Sequence, residues 1–140
     1  MSIAPEIQDP DVIGQQIAHL LTRYPAVKLG ILFGSLAAGH ATFDSDLDLG
    51  VAADYPLAIE LKTALIEDLA QLLGRPVDLV DLQMASGVIL QQVLVKGRLI
   101  YCTDRILYAT LIRNMLFNQS DMMPYHDRIL AERRKAWIGT

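Results

Sequence analysis

The sequence predicts an α/β (α+β) domain, a small mixed sheet flanked by helices. Three observations carry that reading. Four apolar runs of strand length are closed off by nearby Gly, Pro or Asp residues, and the stretches between them repeat their apolar residues at helical spacing. The third is size: 140 residues, 52% of them hydrophobic and 20% charged, suit one compact core. We therefore expect a single domain over residues 1–140, its core at 10–103 and C-terminal helices at 104–138.

Asp9-Pro10-Asp11 has the form of a helix start, with Asp as cap and Pro in the first turn, and Ile13, Ile17, Leu20 and Leu21 follow on one face. Tyr24-Pro25 ends that helix. Residues 27–33 (VKLGILF) form a strand that stops at Gly34, and residues 47–53 (LDLGVAA) form a second that opens inside a pair of aspartates. Between Pro56 and Leu73 a broad apolar stripe marks a helix, closed by Gly74 and Pro76. Residues 77–81 (VDLVD) read as a third strand. Ser86 caps a helix running to Lys96, Gly97 stops it, and residues 98–102 (RLIYC) supply the fourth strand. Asp104 caps a helix expected to end near Asn118, and Pro124 separates it from a last helix ending near Trp137.

Charge and cysteine content narrow the function. The net charge of -4 argues against a protein that coats nucleic acid or an anionic membrane, so no direct nucleic-acid partner is expected. The average hides a division. Residues 41–81 carry nine acids against Lys62 and Arg75, whereas residues 96–140 carry eight bases against four acids. An acidic middle suits divalent cations and a basic end suits an acidic partner. Cys102 is the single cysteine, so no internal disulfide can form, which fits a reducing cytoplasm. No apolar run has bilayer length, and the opening MSIAPEIQDPD lacks the basic and apolar regions of a signal peptide. The expectation is a soluble cytoplasmic chain with no membrane partner.

The informative segment is Gly34-Ser35, ten intervening residues, then Asp46-Leu47-Asp48. Side chains two apart in a strand share a face, so Asp46 and Asp48 point together at the start of the second strand. Carboxylates that close repel unless a cation lies between them, and Mg2+ takes such oxygens together with phosphate oxygens. Gly34 lets backbone or phosphate come near, and Ser35 adds a hydroxyl and a backbone N–H at the start of a short helical turn. Asp78, set in the apolar run Val77-Asp78-Leu79-Val80, is the third carboxylate candidate, because an unpaired charge there would be costly. Asp81, at the strand end, reads instead as a turn cap.

The segment LFGSLAAGHATFDSDLDLGV resembles the signature of the polymerase-beta-like nucleotidyltransferase superfamily, and the short chain is similar to its minimal nucleotidyltransferase antitoxins. With Asp78 the resemblance covers residues 27–81. It implies a nucleotidyltransferase fold and a Mg2+-dependent enzyme with two ions. Asp46, Asp48 and Asp78 would be metal ligands and catalytic residues, and Gly34 and Ser35 would bind the nucleotide. It further implies ATP as donor, a tyrosine hydroxyl on a cognate HEPN-domain RNase toxin as acceptor, and a stable hetero-oligomer in which AMP addition neutralises the toxin. One departure stands out: family members commonly carry Arg where this chain has Ala38. Two other readings are a domain that masks the toxin by binding alone and an antibiotic nucleotidyltransferase. The latter usually needs a further helical domain for the acceptor.

Other polar residues fit ordinary roles. Asp44 suits a turn. His19 and His126 have no partner at metal-ligand spacing, and Cys102 suits a small buried position. Tyr125 and the Arg133-Arg134-Lys135 run are expected to contribute to partner docking.

Overall fold

The computed structural model describes residues 10–39 and 46–124. In chain order the elements are α1 (Pro10–Leu21), β1 (Val27–Phe33), α2 (Gly34–Ala38), β2 (Leu47–Ala53), α3 (Ile59–Leu73), β3 (Val77–Asp81), α4 (Gly87–Lys96), β4 (Arg98–Cys102) and α5 (Arg105–Pro124). The four strands make one mixed sheet ordered β3-β2-β1-β4. β1 runs antiparallel to both β2 and β4, while β2 and β3 are parallel.

Both faces of the sheet are covered. On one, Leu47, Leu49 and Val51 of β2 pack with Ile13, Ile17, Leu20 and Leu21 of α1 and with Leu65 and Leu69 of α3. On the other, Leu29, Ile31 and Ala52 pack with Leu90 and Val93 of α4 and with Leu111 and Met115 of α5. Because strand side chains alternate, Asp48 and Gly50 share the second face with Ala52. A Cβ at Gly50 would lie 2.9 Å from Leu82 and 3.1 Å from Val93, which fixes that face as the α4 side.

The end signals act as read from the sequence. Gly74 adopts φ 65° and its N–H donates to the Ala70 carbonyl at 2.8 Å, closing α3. The Ser86 hydroxyl accepts from the Ile89 N–H at 3.4 Å, and Asp104 Oδ1 accepts from the Leu107 N–H at 3.1 Å. Gly97 leaves the helix in an extended conformation, φ -83° and ψ 173°, and only glycine fits there, since a Cβ would meet the Val93 carbonyl at 2.4 Å and Ile31 at 2.6 Å. Two boundaries differ from expectation. α1 ends at Leu21, ahead of Tyr24-Pro25. α5 continues past Asn118 to Pro124, the last of the described residues, because nothing in Gln119-Ser120-Asp121-Met122-Met123 lacks the backbone N–H that a helix needs. The Asp9 cap and the last helix lie outside the described residues.

Tyr24 ties the end of α1 to α3. Its hydroxyl donates to Asp68 Oδ2, and burial, that hydrogen bond and the Asp68 charge push the phenol up to about 12. The shift favours the protonated form in the folded state, so its stabilisation is complete below the ordinary value of 10.0 and is lost as pH rises through about 12. Tyr24→Phe is expected to cost about 1 kcal/mol near neutral pH and to flatten the fall of melting temperature between pH 9 and 12. An unchanged alkaline profile in thermal melts would assign that fall to other groups. Among the described residues, no helix is long and apolar enough to cross a membrane.

Candidate active site

The motif residues meet at one end of the sheet. β1 finishes at Phe33, where Gly34 turns the chain with φ 75° into the five-residue α2. Phe33 is the cross-strand partner of Asp48, so the turn lies directly against that carboxylate. A Cβ on Gly34 would stand 2.2 Å from Asp48 Oδ2. Glycine is thus required twice, for the left-handed backbone and for the space. Ser35 follows with its side chain exposed.

Asp78 stands beside Asp48 on the neighbouring strand. The parallel register pairs Leu47 with Val77, Asp48 with Asp78 and Leu49 with Leu79. Laterally paired residues point to the same face, so both carboxylates lie on the α4 side of the sheet. Asp46 sits one residue before β2 and is exposed. Burial, then the charges of Asp78 and Asp46, raise the Asp48 carboxyl above its ordinary value. Negative charge on Asp48 is therefore unfavourable. Yet among the described residues no three Asp, Glu, His or Cys groups converge closely enough to hold one ion.

One expectation about Asp78 needs correcting. It is exposed rather than enclosed by its apolar neighbours, because β3 is an edge strand. Leu79 alone of that run is buried, on the opposite face. The argument from burial cost therefore does not apply, and the register with Asp48 is what marks the residue. Asp81 does cap a turn, with Oδ1 accepting from the Gln83 N–H at 3.0 Å. Its Oδ2 accepts from the Leu57 N–H at 2.7 Å, which pins the loop before α3 at the far end of the sheet.

The donor set fits Mg2+. Mg2+ takes one or two carboxylates with phosphate oxygens completing its shell, and the Asp48 carboxyl, paired with Asp78, is held where negative charge is penalised. The basic component is thinner. Ala38, where the resemblance would lead one to expect Arg, is the exposed last residue of α2. Lys62 lies in the first turn of α3, at the end of the sheet away from the carboxylates. Arg75, buried at 7% exposure, lies two residues before β3 at the carboxylate end, and its sequence position gave no sign of that burial. His19 is exposed and Cys102 is half-buried against the α4 side of the core. Asp44, Tyr125, His126 and the Arg133-Arg134-Lys135 run lie outside the described residues.

Comparison with known proteins identifies the family and the fold. Residues 15–106 match the family described as Polymerase beta, Nucleotidyltransferase. The protein adenylyltransferase MntA of Shewanella oneidensis is 38% identical over 89 residues, a segment spanning 64% of this chain and 64% of that protein. A solved toxin-antitoxin with AMP-PNP is similar at TM-score 0.69 and 31% identity, over 83% of this chain and 94% of the matched chain. Another, the tri-AMPylated HEPN toxin of Shewanella oneidensis in complex with its MNT antitoxin, matches at TM-score 0.66 and 28% identity, over 86% of this chain and 95% of that one. The matched residues contain Gly34, Ser35, Asp46, Asp48 and Asp78, so the strand pairing that joins Asp48 to Asp78 lies within the family's own segment. The chain belongs to the polymerase beta nucleotidyltransferase family.

Proposed function

We propose that this chain is the antitoxin of a toxin-antitoxin pair and acts in the cytoplasm, transferring AMP from ATP to a tyrosine hydroxyl of a cognate HEPN RNase toxin. The observation that carries the reading is the pairing of Asp48 with Asp78 against the Gly34 turn. Its support comes from the MntA relative and the two toxin-antitoxin structures. We read residues 1–140 as a single domain.

In the reaction the tyrosine oxygen attacks the α-phosphorus of ATP, the bond from that phosphorus to the bridging oxygen of the β-phosphate breaks, and pyrophosphate leaves. Asp46, Asp48 and Asp78 would hold two Mg2+ ions, which when bound offset the carboxylates' repulsion and the charge on the phosphates. Asp78, the exposed partner of Asp48 on the neighbouring strand, would orient or accept the tyrosine proton. The Gly34 turn leaves the backbone open to the terminal phosphates, and the Ser35 hydroxyl donates to them. These residues position the donor and receive a proton. The acceptor hydroxyl comes from the other protein.

Ala38 favours a second reading, in which the chain masks the toxin without modifying it, since a guanidinium fork for phosphate is absent there. One experiment separates the two. The chain, Mg2+, ATP labelled on its α-phosphate and the cognate toxin should yield a labelled toxin with lost RNase activity. A toxin that is bound and inhibited but unlabelled would establish masking, and label on an aminoglycoside in place of the toxin would establish an antibiotic enzyme.

A further inference from the structure

We propose that the outer stripe of α5 formed by Ile106, Ala109, Arg113, Leu116 and Phe117 is the surface on which the cognate toxin docks, and that it meets an apolar toxin face with an acidic rim. The proposal rests on the function proposed above. Positions 106, 109, 113, 116 and 117 fall within about 100° of one another on a helix of 3.6 residues per turn, so they make one face. The opposite face is the one that Leu111 and Met115 bury against the sheet and α4. Ile106 is 79% exposed, Leu116 51% and Phe117 59%, and the Arg113 guanidinium lies over the Phe117 ring at 5.9 Å from its centroid. Large apolar side chains left uncovered in a row, with an aromatic and an Arg among them, have the composition of an interface centre.

Charge selects the occupant. Residues 105–117 contain Arg105 and Arg113 and no acid, and the neighbouring helix α4 ends in Lys96. The nearby carboxylate of Asp104 is engaged in capping α5. A second copy in a symmetric contact would set two basic stripes against each other. The chain's own residues 125–140 carry Arg128, Arg133, Arg134 and Lys135 against Asp127 and Glu132, so they too bring net positive charge. An acidic partner faces neither penalty. Location supplies the second argument: α5 packs on the same sheet face that carries Asp48 and Asp78. A toxin seated on α5 therefore sits on the side from which its tyrosine must reach the site.

The test uses the full chain and its cognate toxin. Ile106→Glu and Phe117→Glu should each weaken binding about 30-fold or more, as hot-spot residues do. Arg113→Glu should weaken it about tenfold and reduce its salt dependence. Ile106→Ser guards against a Glu variant that fails to melt cooperatively. At toxin concentrations above the raised Kd, AMP incorporation should return to the wild-type rate, because none of these residues belongs to the transfer site. If the wild-type chain binds and modifies the toxin while Ile106→Ser and Arg113→Glu bind it equally well, the docking surface is wrong and the proposed function stands. A wild-type chain that neither binds nor modifies the toxin overturns both. A homodimer of the free chain that these substitutions dissociate gives the stripe to a second copy and overturns the proposal.

Discussion

Asp48→Asn is expected to lower AMP transfer to the toxin by about a thousandfold or more while leaving the fold intact. The carboxylate is paired with Asp78 across the strands and feels the charge of Asp46, and metal-assisted charge neutralisation contributes several kcal/mol to such a transfer, each 1.36 kcal/mol being tenfold in rate. Stability should move the other way. Burial and the charges of Asp78 and Asp46 hold the Asp48 carboxyl above its ordinary value, so ionised Asp48 is disfavoured in the folded state. A group raised in this way stabilises the fold when protonated and loses that contribution as pH rises through its folded value. At neutral pH the metal-free protein therefore carries a penalty that the amide removes. In EDTA at pH 7 the variant should melt at or above the wild-type temperature, and the gap should close as pH falls below the carboxylate range. Asp46→Asn and Asp78→Asn each remove a like charge beside Asp48 and should also abolish transfer. Near wild-type transfer in any of the three would remove that residue from the site. A destabilised metal-free Asp48→Asn variant would show a structural role in its place.

The legible parts of this chain were those whose cause is local. A Cβ-free residue at the end of a strand, a hydroxyl or carboxylate at a helix start, and alternating apolar residues act within a few positions, so β1, β2, the Ser86 and Asp104 caps and the Gly74 stop could be read directly. Asp46 and Asp48 were legible for the same reason. Asp78 was found by a signal that does not hold, because the sequence pattern of β3 matches a buried strand while the sheet places it at an edge. Strand order is a property of the whole chain. The register that puts Asp78 beside Asp48 depends on α3 returning the chain to the same end of the sheet, and no window around either residue contains that information. The burial of Arg75 and the uncovered stripe of α5 escape local reading likewise. In α5 apolar residues occur on every side, and only packing shows which of them meet the core.

Gly34→Ala should lose at least about 100-fold in transfer, and the pairing of two glycines makes the reason testable. Gly34 has φ 75° and Gly74 has φ 65°, so an alanine at either position meets the left-handed penalty of about 1–2 kcal/mol. At Gly74 the added Cβ has nothing within 4 Å, and strain is the whole effect. At Gly34 it arrives 2.2 Å from Asp48 Oδ2, 3.0 Å from the carboxyl carbon and 3.1 Å from the Asp48 Cβ. The carboxylate is the end of a side chain and can swing away, so the fold is expected to survive. Its position beside Asp78 is not, and a displacement of about 1 Å in a reacting constellation can cost 100-fold. Both variants should therefore melt lower, Gly34→Ala by somewhat more because its Cβ also crowds the Asp48 Cβ, while Gly74→Ala transfers AMP at the wild-type rate and Gly34→Ala does not. Equal transfer in the two would mean that Asp48 tolerates the shift and that the glycine serves the backbone alone. Equal loss would mean that the decline follows stability rather than the geometry at Asp48.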